Sequence, residues 1–410
     1  AGNGDHQGSG RVGGDGVMAK LGEVCEFYAG TGFPNEYQGR VTGKYPFYKV
    51  GDISKNVLEG NRELKTCANY VEEDVVQKLK GSILPPKTIV FAKIGEALKL
   101  NRRAITSCEC LVDNNVMGIK AQNIRLNDEY LFYWLQNLNL SDYSESTTVP
   151  SVKKSRLQNI EINVNPLEGQ EKVVSTLNKL SSLILARKKQ LSKLDELVKA
   201  RFVEMFGNPA SNTMGWKSEQ LVDCLQGIDN GKSFVCSNDT RQGQEPAMLK
   251  LSAVTYGVYN QKENKVLLDD TMFIKAAEVH RGDLLFTRKN TPELVGMCAY
   301  VTNTEPNLMI PDLIFRLNPN DKINAIFLWK LINHELFREK IQNIATGSAK
   351  SMSNISKERL GKLKIIVPPI PLQNQFAAFV ERVDQQKQTV QQSLEKLELM
   401  KKALMQEYFG

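Results

Sequence analysis

The sequence has few of the residues from which metal centres and covalent scaffolds are built. It contains three histidines, none in ligand spacing, and seven scattered cysteines without a CxxC pair. This argues against a zinc site and against a disulfide framework, and it is typical of reduced thiols in a cytoplasm. Cys108 and Cys110 form the one close pair, and we interpret them as ordinary strand residues.

Long apolar runs are also missing. No stretch approaches about 18 uninterrupted apolar residues, and the N-terminus has no apolar core of a signal peptide, so the sequence predicts neither a membrane span nor secretion. We therefore expect a cytoplasmic protein. Residues 1–19 are Gly-rich, and Met18 resembles a start site after an added tail. We expect residues 1–19 to be a flexible tail outside the fold.

Motifs of catalysis and cofactor binding are not found. The string GIDNGKS at 227–233 has three residues between its glycines where a phosphate-binding loop has four, so we interpret it as a turn. There is no GxGxxG between a strand and a helix, and no Asn-Pro-Pro-aromatic quartet of adenine methyltransferases. The Glu-x-Lys of 263–265 lacks a convincing upstream acid. The sequence predicts a protein that has no active site, metal or cofactor.

What the sequence does have is an internal duplication. VNPLEGQ at 164–170 is matched by VPPIPLQ at 367–373, and the segment after each ends in Phe-Gly, at 206–207 and 409–410. Both the proline of the phrase and the final glycine recur 203 residues later. The duplication predicts two similar domains, each followed by a similar helix, in a pseudo-twofold architecture.

The segments after these phrases have the alternating four-three apolar spacing of a heptad seam, interrupted at Arg187 and Arg201 in the first and at Lys387 and Lys401 in the second. A helix of about 40 residues is roughly 60 Å long, and one small domain cannot bury its whole stripe. We expect the two helices to pair antiparallel within the chain; the alternatives are packing of each on its own domain and intermolecular coiled coils. The seam residues are Val173, Leu177, Leu180, Ile184, Leu191, Leu194, Val198, Met205, Phe376, Val380, Val383, Val390, Leu394, Leu397, Leu404 and Tyr408.

Each globular half consists of short β-branched or aromatic runs between Gly, Pro and Asn turns, with one or two amphipathic helices near its end. The predicted fold class is α+β. We place the first domain at 20–165 and its helix at 166–207. We place the second domain at 208–368 and its helix at 369–410.

Polar, basic loops occur at corresponding places in both halves, and the formal net charge of +7 permits a nucleic-acid partner. Arg and Lys suit guanine edges, Asn suits adenine edges, and Ser, Thr and Lys suit phosphates. Any one of these groups could be an ordinary solvated side chain, so the hypothesis rests on their repetition. The candidate DNA-binding residues are Lys93, Lys99, Asn101, Arg102, Arg103, Thr147, Thr148, Ser151, Lys153, Lys154, Arg288, Lys289, Asn290, Thr291, Thr346, Ser348, Lys350 and Ser351.

From about residue 20 to 410, the pattern resembles the DNA-specificity subunit of type I restriction-modification systems. The resemblance is carried by GTGFPNEYQG at 30–39 with PFYKVGD at 46–52, by GDLLFTRKNT at 282–291, and most strongly by the two Pro-x-x-x-Gln helix entries with their Phe-Gly ends. It implies two target-recognition domains that read the two parts of a split double-stranded DNA sequence. It also implies paired helices that act as a ruler and dock two methyltransferase subunits.

By the same resemblance the chain is not an enzyme. It directs adenine methylation by its partners and, where motor-nuclease subunits join, the restriction of unmodified DNA. Two departures caution against transferring single DNA contacts: Pro371 stands at the position of Glu168, and the TTVP of 147–150 replaces the Thr-Gly-Ser of 346–348. The alternatives that the residues leave open are a methyltransferase or nuclease with its own active site, and a coiled-coil scaffold without a role on DNA.

Overall fold

The computed structural model describes residues 16–122, 124–145, 149–347 and 352–410. The chain divides into two compact units: unit 1 comprises Ala1–Lys189 and Gln392–Gly410, and unit 2 comprises Gln190–Gln391. Each unit therefore joins one globular domain to a part of each long helix.

Short strands and helices alternate in the first domain. They are β1 (Val17–Lys20), α1 (Leu21–Val24), β2 (Cys25–Ala29), β3 (Tyr45–Tyr48), α2 (Val50–Leu58), β4 (Tyr70–Val71), α3 (Glu73–Leu79), β5 (Ile89–Ala92), α4 (Glu96–Lys99), β6 (Arg103–Ile105), β7 (Leu111–Val112), β8 (Val116–Ala121), α5 (Asp128–Asn137), α6 (Lys154–Gln158) and β9 (Glu161–Val164), followed by the long helix α7 (Leu167–Phe206).

The second domain repeats this plan. Its elements are β10 (Ser218–Gln220), β11 (Leu225–Asn230), β12 (Ala247–Leu249), β13 (Asn264–Val266), β14 (Leu284–Thr287), β15 (Lys289–Asn290), β16 (Cys298–Tyr300), β17 (Leu308–Met309), β18 (Ile314–Pro319), α8 (Ala325–Asn333), α9 (Glu335–Asn343), β19 (Ser353–Asn354), α10 (Lys357–Gly361) and β20 (Lys364–Ile366), followed by the long helix α11 (Ile370–Phe409).

The sheets show that the duplication extends to strand order. The first domain has a four-stranded sheet β2-β8-β5-β6 and a three-stranded sheet β4-β3-β7, and the second has β11-β18-β14-β16 and β13-β12-β17. In both three-stranded sheets the central strand is parallel to one neighbour, with Phe47 opposite Leu111 and Ala247 opposite Leu308. The predicted α+β class and internal repeat are confirmed.

The chain enters the fold before the predicted boundary at residue 20. Strand β1 pairs antiparallel with β9, with Met18 opposite Asn163 and Ala19 opposite Ile162, and Ala19 is buried. The expectation that residues 17–19 belong to a tail outside the fold is therefore wrong, because β9 needs a hydrogen-bonding partner along its edge. Residues 1–15 lie outside the described residues.

The long helices pack together and run antiparallel. In unit 1, Lys188 of α7 forms an ion pair with Glu398 of α11 at 2.8 Å. In unit 2, Asp195 pairs with Lys387 at 2.5 Å, whereas Phe206, further along α7, contacts Phe376 near the start of α11. The predicted seam residues are all buried or half-buried, so the heptad pattern identified the contact face correctly.

The Phe-Gly ends terminate the helices in aromatic contacts. Phe206 is fully buried, with its ring 4.8 Å from that of Phe327 and 5.4 Å from that of Phe376. Gly207 then takes a φ of +71°, the left-handed conformation that stops a helix and favours glycine. In unit 1, Phe409 packs edge-on against Tyr130 at 5.1 Å.

A buried glutamine, the last residue of each Pro-x-x-x-Gln phrase, fixes each long helix to the domain before it. Gln170 has no exposed surface. Its Nε2 donates to the carbonyl oxygens of Asn165 at 2.7 Å and Arg125 at 2.9 Å. Its Oε1 accepts from the backbone N–H of Asn127 at 2.8 Å, and Asn127 caps α5. One side chain thus joins the starts of α5 and α7.

Gln373 makes the same three bonds in unit 2. Its Nε2 donates to the carbonyl oxygens of Pro368 at 2.7 Å and Lys322 at 3.1 Å. Its Oε1 accepts from the N–H of Asn324 at 2.9 Å, and Asn324 caps α8. The repeated phrase in the sequence is therefore the signature of a repeated hydrogen-bonded joint.

We predict that Gln373→Ala destabilises unit 2 by about 2–4 kcal/mol, because it removes all three bonds of a buried amide and leaves the N–H of Asn324 without its acceptor. The measurement is urea unfolding, together with hydrogen exchange of the Asn324 amide. Gln375 is exposed on the same helical turn, so Gln375→Ala serves as the control and should change the free energy of unfolding by less than about 0.5 kcal/mol. Equal unfolding curves for the two variants would refute the joint.

Candidate nucleic-acid interface

Two of the predicted loops of the first domain meet at the end of β5. The N–H of Lys93 donates to the carbonyl of Asn115 at 2.8 Å, and the carbonyl of Lys93 accepts from the N–H of Val152 at 2.9 Å. Ile94 forms an antiparallel bridge with Ser151. These backbone bonds hold Lys93 beside Ser151 and Val152.

The second domain has the same arrangement of backbone bonds at the end of β14. We call this arrangement, around Lys93 in the first domain and Arg288 in the second, the frame. The N–H of Arg288 donates to the carbonyl of Leu313 at 3.0 Å, and the carbonyl of Arg288 accepts from the N–H of Ile355 at 2.8 Å. Lys289 lies opposite Asn354 in the β15–β19 pair. Arg288 therefore occupies the position at which the first domain has its lysine.

Two further backbone-bonded segments lie beside these cations, one in each domain. In the first domain the N–H of Glu145 donates to the carbonyl of Ser151 at 3.1 Å, and in the second Thr346 and Asn354 exchange two backbone bonds at 2.8 and 2.7 Å. Residues 146–148 and 348–351, which connect these segments along the chain, lie outside the described residues. The predicted DNA-binding residues that fall there are Thr147, Thr148, Ser348, Lys350 and Ser351.

The side chain of Arg288 is held in place before any partner arrives. Its Nε and Nη2 lie 3.4 and 3.3 Å from Oδ1 of Asn354, and its guanidinium carbon lies 5.0 Å from the centre of the Phe315 ring. Contact with a carbonyl oxygen on one side and an aromatic face on the other restricts the rotamers of a long side chain. Lys289 is half-buried and Thr291 is exposed next to it.

Other predicted residues of the second domain are partly engaged within the fold. Asn290 is buried, with its Nδ2 donating to Oγ1 of Thr255 at 3.1 Å and its Oδ1 accepting from the N–H of Thr291 at 2.9 Å. Oγ1 of Thr346 donates to the carbonyl of Asn354 at 3.1 Å. Their side chains fix the loops from which Arg288 projects.

A second cation stands near each frame, and the sequence reasoning found only one of the two. Lys154 begins α6 with its Nζ 5.9 Å from the centre of the Phe27 ring. Lys357 begins α10, with its Nζ donating to the carbonyl of Ile228 at 2.5 Å and lying 5.8 Å from the Phe315 ring. The signal for Lys357 was available, because it follows Lys154 at the same spacing of 203 residues as the helix entries.

Comparison with known proteins identifies the family. The model of the type I restriction modification DNA specificity domain matches residues 15–196 and again residues 215–399. The chain belongs to this family. The two matches correspond to the two halves of the duplication, and they decide against both alternatives left open by the sequence, an enzyme with its own active site and a scaffold without a role on DNA.

Individual relatives and a solved structure agree with this assignment. The chain is 22% identical to the type I restriction enzyme MjaVIII specificity subunit of Methanocaldococcus jannaschii over 96% of this chain and 92% of that protein. It is 30% identical to the EcoEI specificity subunit of Escherichia coli over 42% of this chain, a match that spans only 30% of that protein. The S subunit crystal structure from M. genitalium shares the fold, with 14% identity, a TM-score of 0.56 and coverage of 97% of this chain and 96% of that one.

Specificity subunits are non-catalytic components of their complexes, which confirms the prediction that the chain is not an enzyme. Within the described residues, no group of three or more His, Cys, Asp or Glu side chains is placed to hold a metal ion. None of the described helices is both long and apolar enough to cross a membrane.

Two predicted cations of the first domain of this specificity subunit are exposed and paired with acids. Lys99 lies 2.6 Å from Glu96, and Lys153 lies 2.7 Å from Glu145. Exposed pairs of this kind contribute little to stability, so a phosphate can replace the carboxylate at small cost. Arg102 is half-buried beside them.

Asn101 and Arg103 are used inside the first domain. Arg103 is buried, and its guanidinium donates to the backbone and side-chain oxygens of Asn101 at 3.0 and 2.9 Å and to the carbonyl of Leu138 at 2.6 Å. Burial lowers the pKa of Arg103 to about 9. Asn101 has a φ of +54°, a conformation that Asn tolerates better than most residues. We therefore leave both out of the proposed set of DNA contacts.

We predict that Arg103→Met costs about 1–3 kcal/mol of stability, because the backbone oxygen of Asn101, its side-chain oxygen and the carbonyl of Leu138 each lose a bond from the guanidinium. Chemical unfolding of the full chain measures this loss. Arg102→Met is the matched control, and its effect should stay within about 0.5 kcal/mol. A folded, fully stable Arg103→Met variant with weakened DNA binding would show instead that this guanidinium faces DNA.

Proposed function

We propose that this specificity subunit reads a bipartite double-stranded DNA target in the cytoplasm, one part with each domain. It directs adenine methylation by partner methyltransferase subunits and, together with motor-nuclease subunits, the restriction of unmodified DNA. The observation that supports this most strongly is the repeated frame that presents Lys93 in one domain and Arg288 in the other. Cationic side chains at equivalent positions of two similar domains are suited to binding two sites on one DNA duplex.

The chemistry of the two frames differs, which supports two different half-sites. Arg288 offers a planar fork of donors, suited to the O6 and N7 of guanine in the major groove, and Asn354 orients it. Lys93 offers a compact ammonium, and the residue at the position of Asn354 is Ser151. An ammonium and a guanidinium make different sets of bonds, so the two domains should prefer different bases.

Lys154 and Lys357 are proposed as phosphate contacts in the two domains. Each begins a short helix beside the frame and projects its charge past an aromatic ring. Lysine acts as a point charge and suits phosphates, which position a protein on DNA without reading sequence. The predicted residues at 146–148 and 348–351, together with Lys99, Arg102, Ser151, Lys153, Lys289 and Thr291, complete the proposed contact set.

The paired helices are proposed to dock two methyltransferase subunits. In unit 1, Leu183, Leu185, Leu399 and Met400 of the two helices are exposed. In unit 2, Leu197, Val203 and Ile370 are exposed. We infer that these apolar groups contribute to contacts with partner subunits, since the relatives are subunits of restriction enzymes.

We predict that Arg288→Ala weakens or relaxes recognition at one half-site only, by about 1–3 kcal/mol for the base pair concerned. Lys93→Ala should do the same at the other half-site. The measurement is methylome sequencing of a host that carries each variant with the methyltransferase partner. Equal effects of either variant on both half-sites would argue for a nonspecific role of charge.

We also predict that one heptad inserted into each long helix lengthens the unread spacer and leaves both half-sites unchanged. The insertions belong between Lys189 and Gln190 and between Gln391 and Gln392, where the two units meet along the sequence. Seven helical residues add about 10 Å, the rise of about three base pairs. Methylome sequencing measures both the spacer length and the half-site sequences. Changed half-site bases with an unchanged spacer would show that the helices do not set the distance between the half-sites.

A further inference from the structure

Unit 2 contains a cavity that recognition of DNA does not explain. Its volume is about 620 Å³, and it lies between the second domain and the portions of α7 and α11 that belong to unit 2. The lining includes Trp329 and Tyr300, whose rings are stacked with centres 5.9 Å apart. Cavities of roughly 300–1,000 Å³ with aromatic walls and a few polar groups are the usual sites of small ligands.

Lys330 supplies a charge without a direct partner in this cavity. Its Nζ lies 3.4 Å from the centre of the Trp329 ring, and within the described residues it forms no ion pair or hydrogen bond. The other lysines of the lining are paired, Lys387 with Asp195 and Lys199 with Glu335.

The surroundings of Lys330 act on its charge in two directions. Burial lowers the pKa of its ammonium to about 8, and the carboxylate of Asp384, which also lines the cavity, opposes this shift from beyond ion-pair distance. A desolvated ammonium gains most from an anion placed against it.

The corresponding place in unit 1 shows that the fold does not require such a cavity. There the volume is about 240 Å³, and the side chain of Arg62 is part of the lining. Arg62 pairs with Glu129 at 2.7 Å, donates to Asn178 at 2.6 Å and lies 5.4 Å from the centre of the Phe132 ring. In unit 1 the cation at this place, Arg62, is therefore already paired with an anion of the protein, Glu129.

None of these groups is repeated in unit 2. Gly60 and Gly257 have matching φ values of +80° and +77°, so we align the two units on them. Arg62 lies two residues after Gly60, and Tyr259 lies two residues after Gly257. Tyr259 bonds instead to Thr304 at 2.8 Å. When α5 and α8 are aligned on their N-caps, Ile326 takes the position of Glu129. When α7 and α11 are aligned on their first turns, Glu381 takes the position of Asn178. Unit 2 therefore has an aromatic wall and a lysine but lacks a side chain equivalent to Arg62.

The rim of the cavity offers apolar surface to a ligand. Tyr256 and Val258 line it and are 74% and 64% exposed. A flat ring placed against them would remove their apolar surface from water, while a charged group on that ring reached Lys330.

We propose that this cavity binds a small planar aromatic carboxylate, with the carboxylate paired to Lys330 and the ring against Tyr256 and Val258. The requirement for an anion follows from the lysine, and the requirement for a ring follows from the walls and the rim. A ligand with only the carboxylate or only the ring would meet one of these two requirements.

The test titrates the full chain with 2-naphthoate, with its neutral analogue 2-naphthamide and with the non-aromatic cyclohexanecarboxylate. The chain has three tryptophans, so the indole N–H region of a ¹H–¹⁵N spectrum holds three signals, assigned through Trp134→Phe and Trp216→Phe. We expect 2-naphthoate to move the Trp329 signal, whose N–H donates to the carbonyl of Gly257 at 2.9 Å. Each analogue should bind at least about tenfold more weakly.

Two variants separate this site from weak general binding. Lys330→Met should fold, since it removes a desolvated charge, and should weaken 2-naphthoate binding by at least about tenfold. Lys340→Met is the matched control, because Lys340 also lies over an aromatic ring, 5.6 Å from Phe337, but is exposed outside the cavity; its affinity should equal that of the unmodified chain. No shift of the Trp329 signal, equal binding of the amide, or equal binding by Lys330→Met would each overturn the proposal.

Discussion

Each domain is fixed to its long helix by the side-chain amide of one fully buried glutamine. The amide group bonds a carbonyl two residues before the long helix, a carbonyl in the loop before the domain's own helix and the N–H that begins that helix. A buried amide with all its bonds made is rigid, because every alternative position leaves polar groups without partners. The direction in which the long helix leaves the domain, and with it the position of the seam, depends on this joint.

The long-range features of the fold could be predicted because they leave periodic or repeated traces. Heptad spacing identified the contact face between the helices, and the repeated phrases identified the duplication. The reason for Gln170 could not be read from the sequence, since its partners lie in a loop about 45 residues away. Strand β1 was missed because Val17 and Met18 follow a Gly-rich stretch and gain their structure from a distant edge strand.

The candidate interface was predicted less completely, again for physical reasons. Arg103 looks like a member of a basic loop, and nothing local reveals that a helix end brings the carbonyl of Leu138 to it. Lys357 was overlooked because it lies outside the loops richest in polar residues, although its counterpart Lys154 was identified. The equivalence of Lys93 and Arg288 required the backbone bonds, since insertions in the loops shift the sequence offset between the two halves.

The division of each long helix between two units affects how the chain can fold. Unit 1 is completed by residues 392–410, and Met405 belongs to the same core as Val173, Leu177 and the α5 side chains. During synthesis the core of the first domain therefore closes only after the last turns of α11 have left the ribosome. Contacts between such distant segments are slow to form, and until then the exposed seam of α7 is a surface that a chaperone would have to cover.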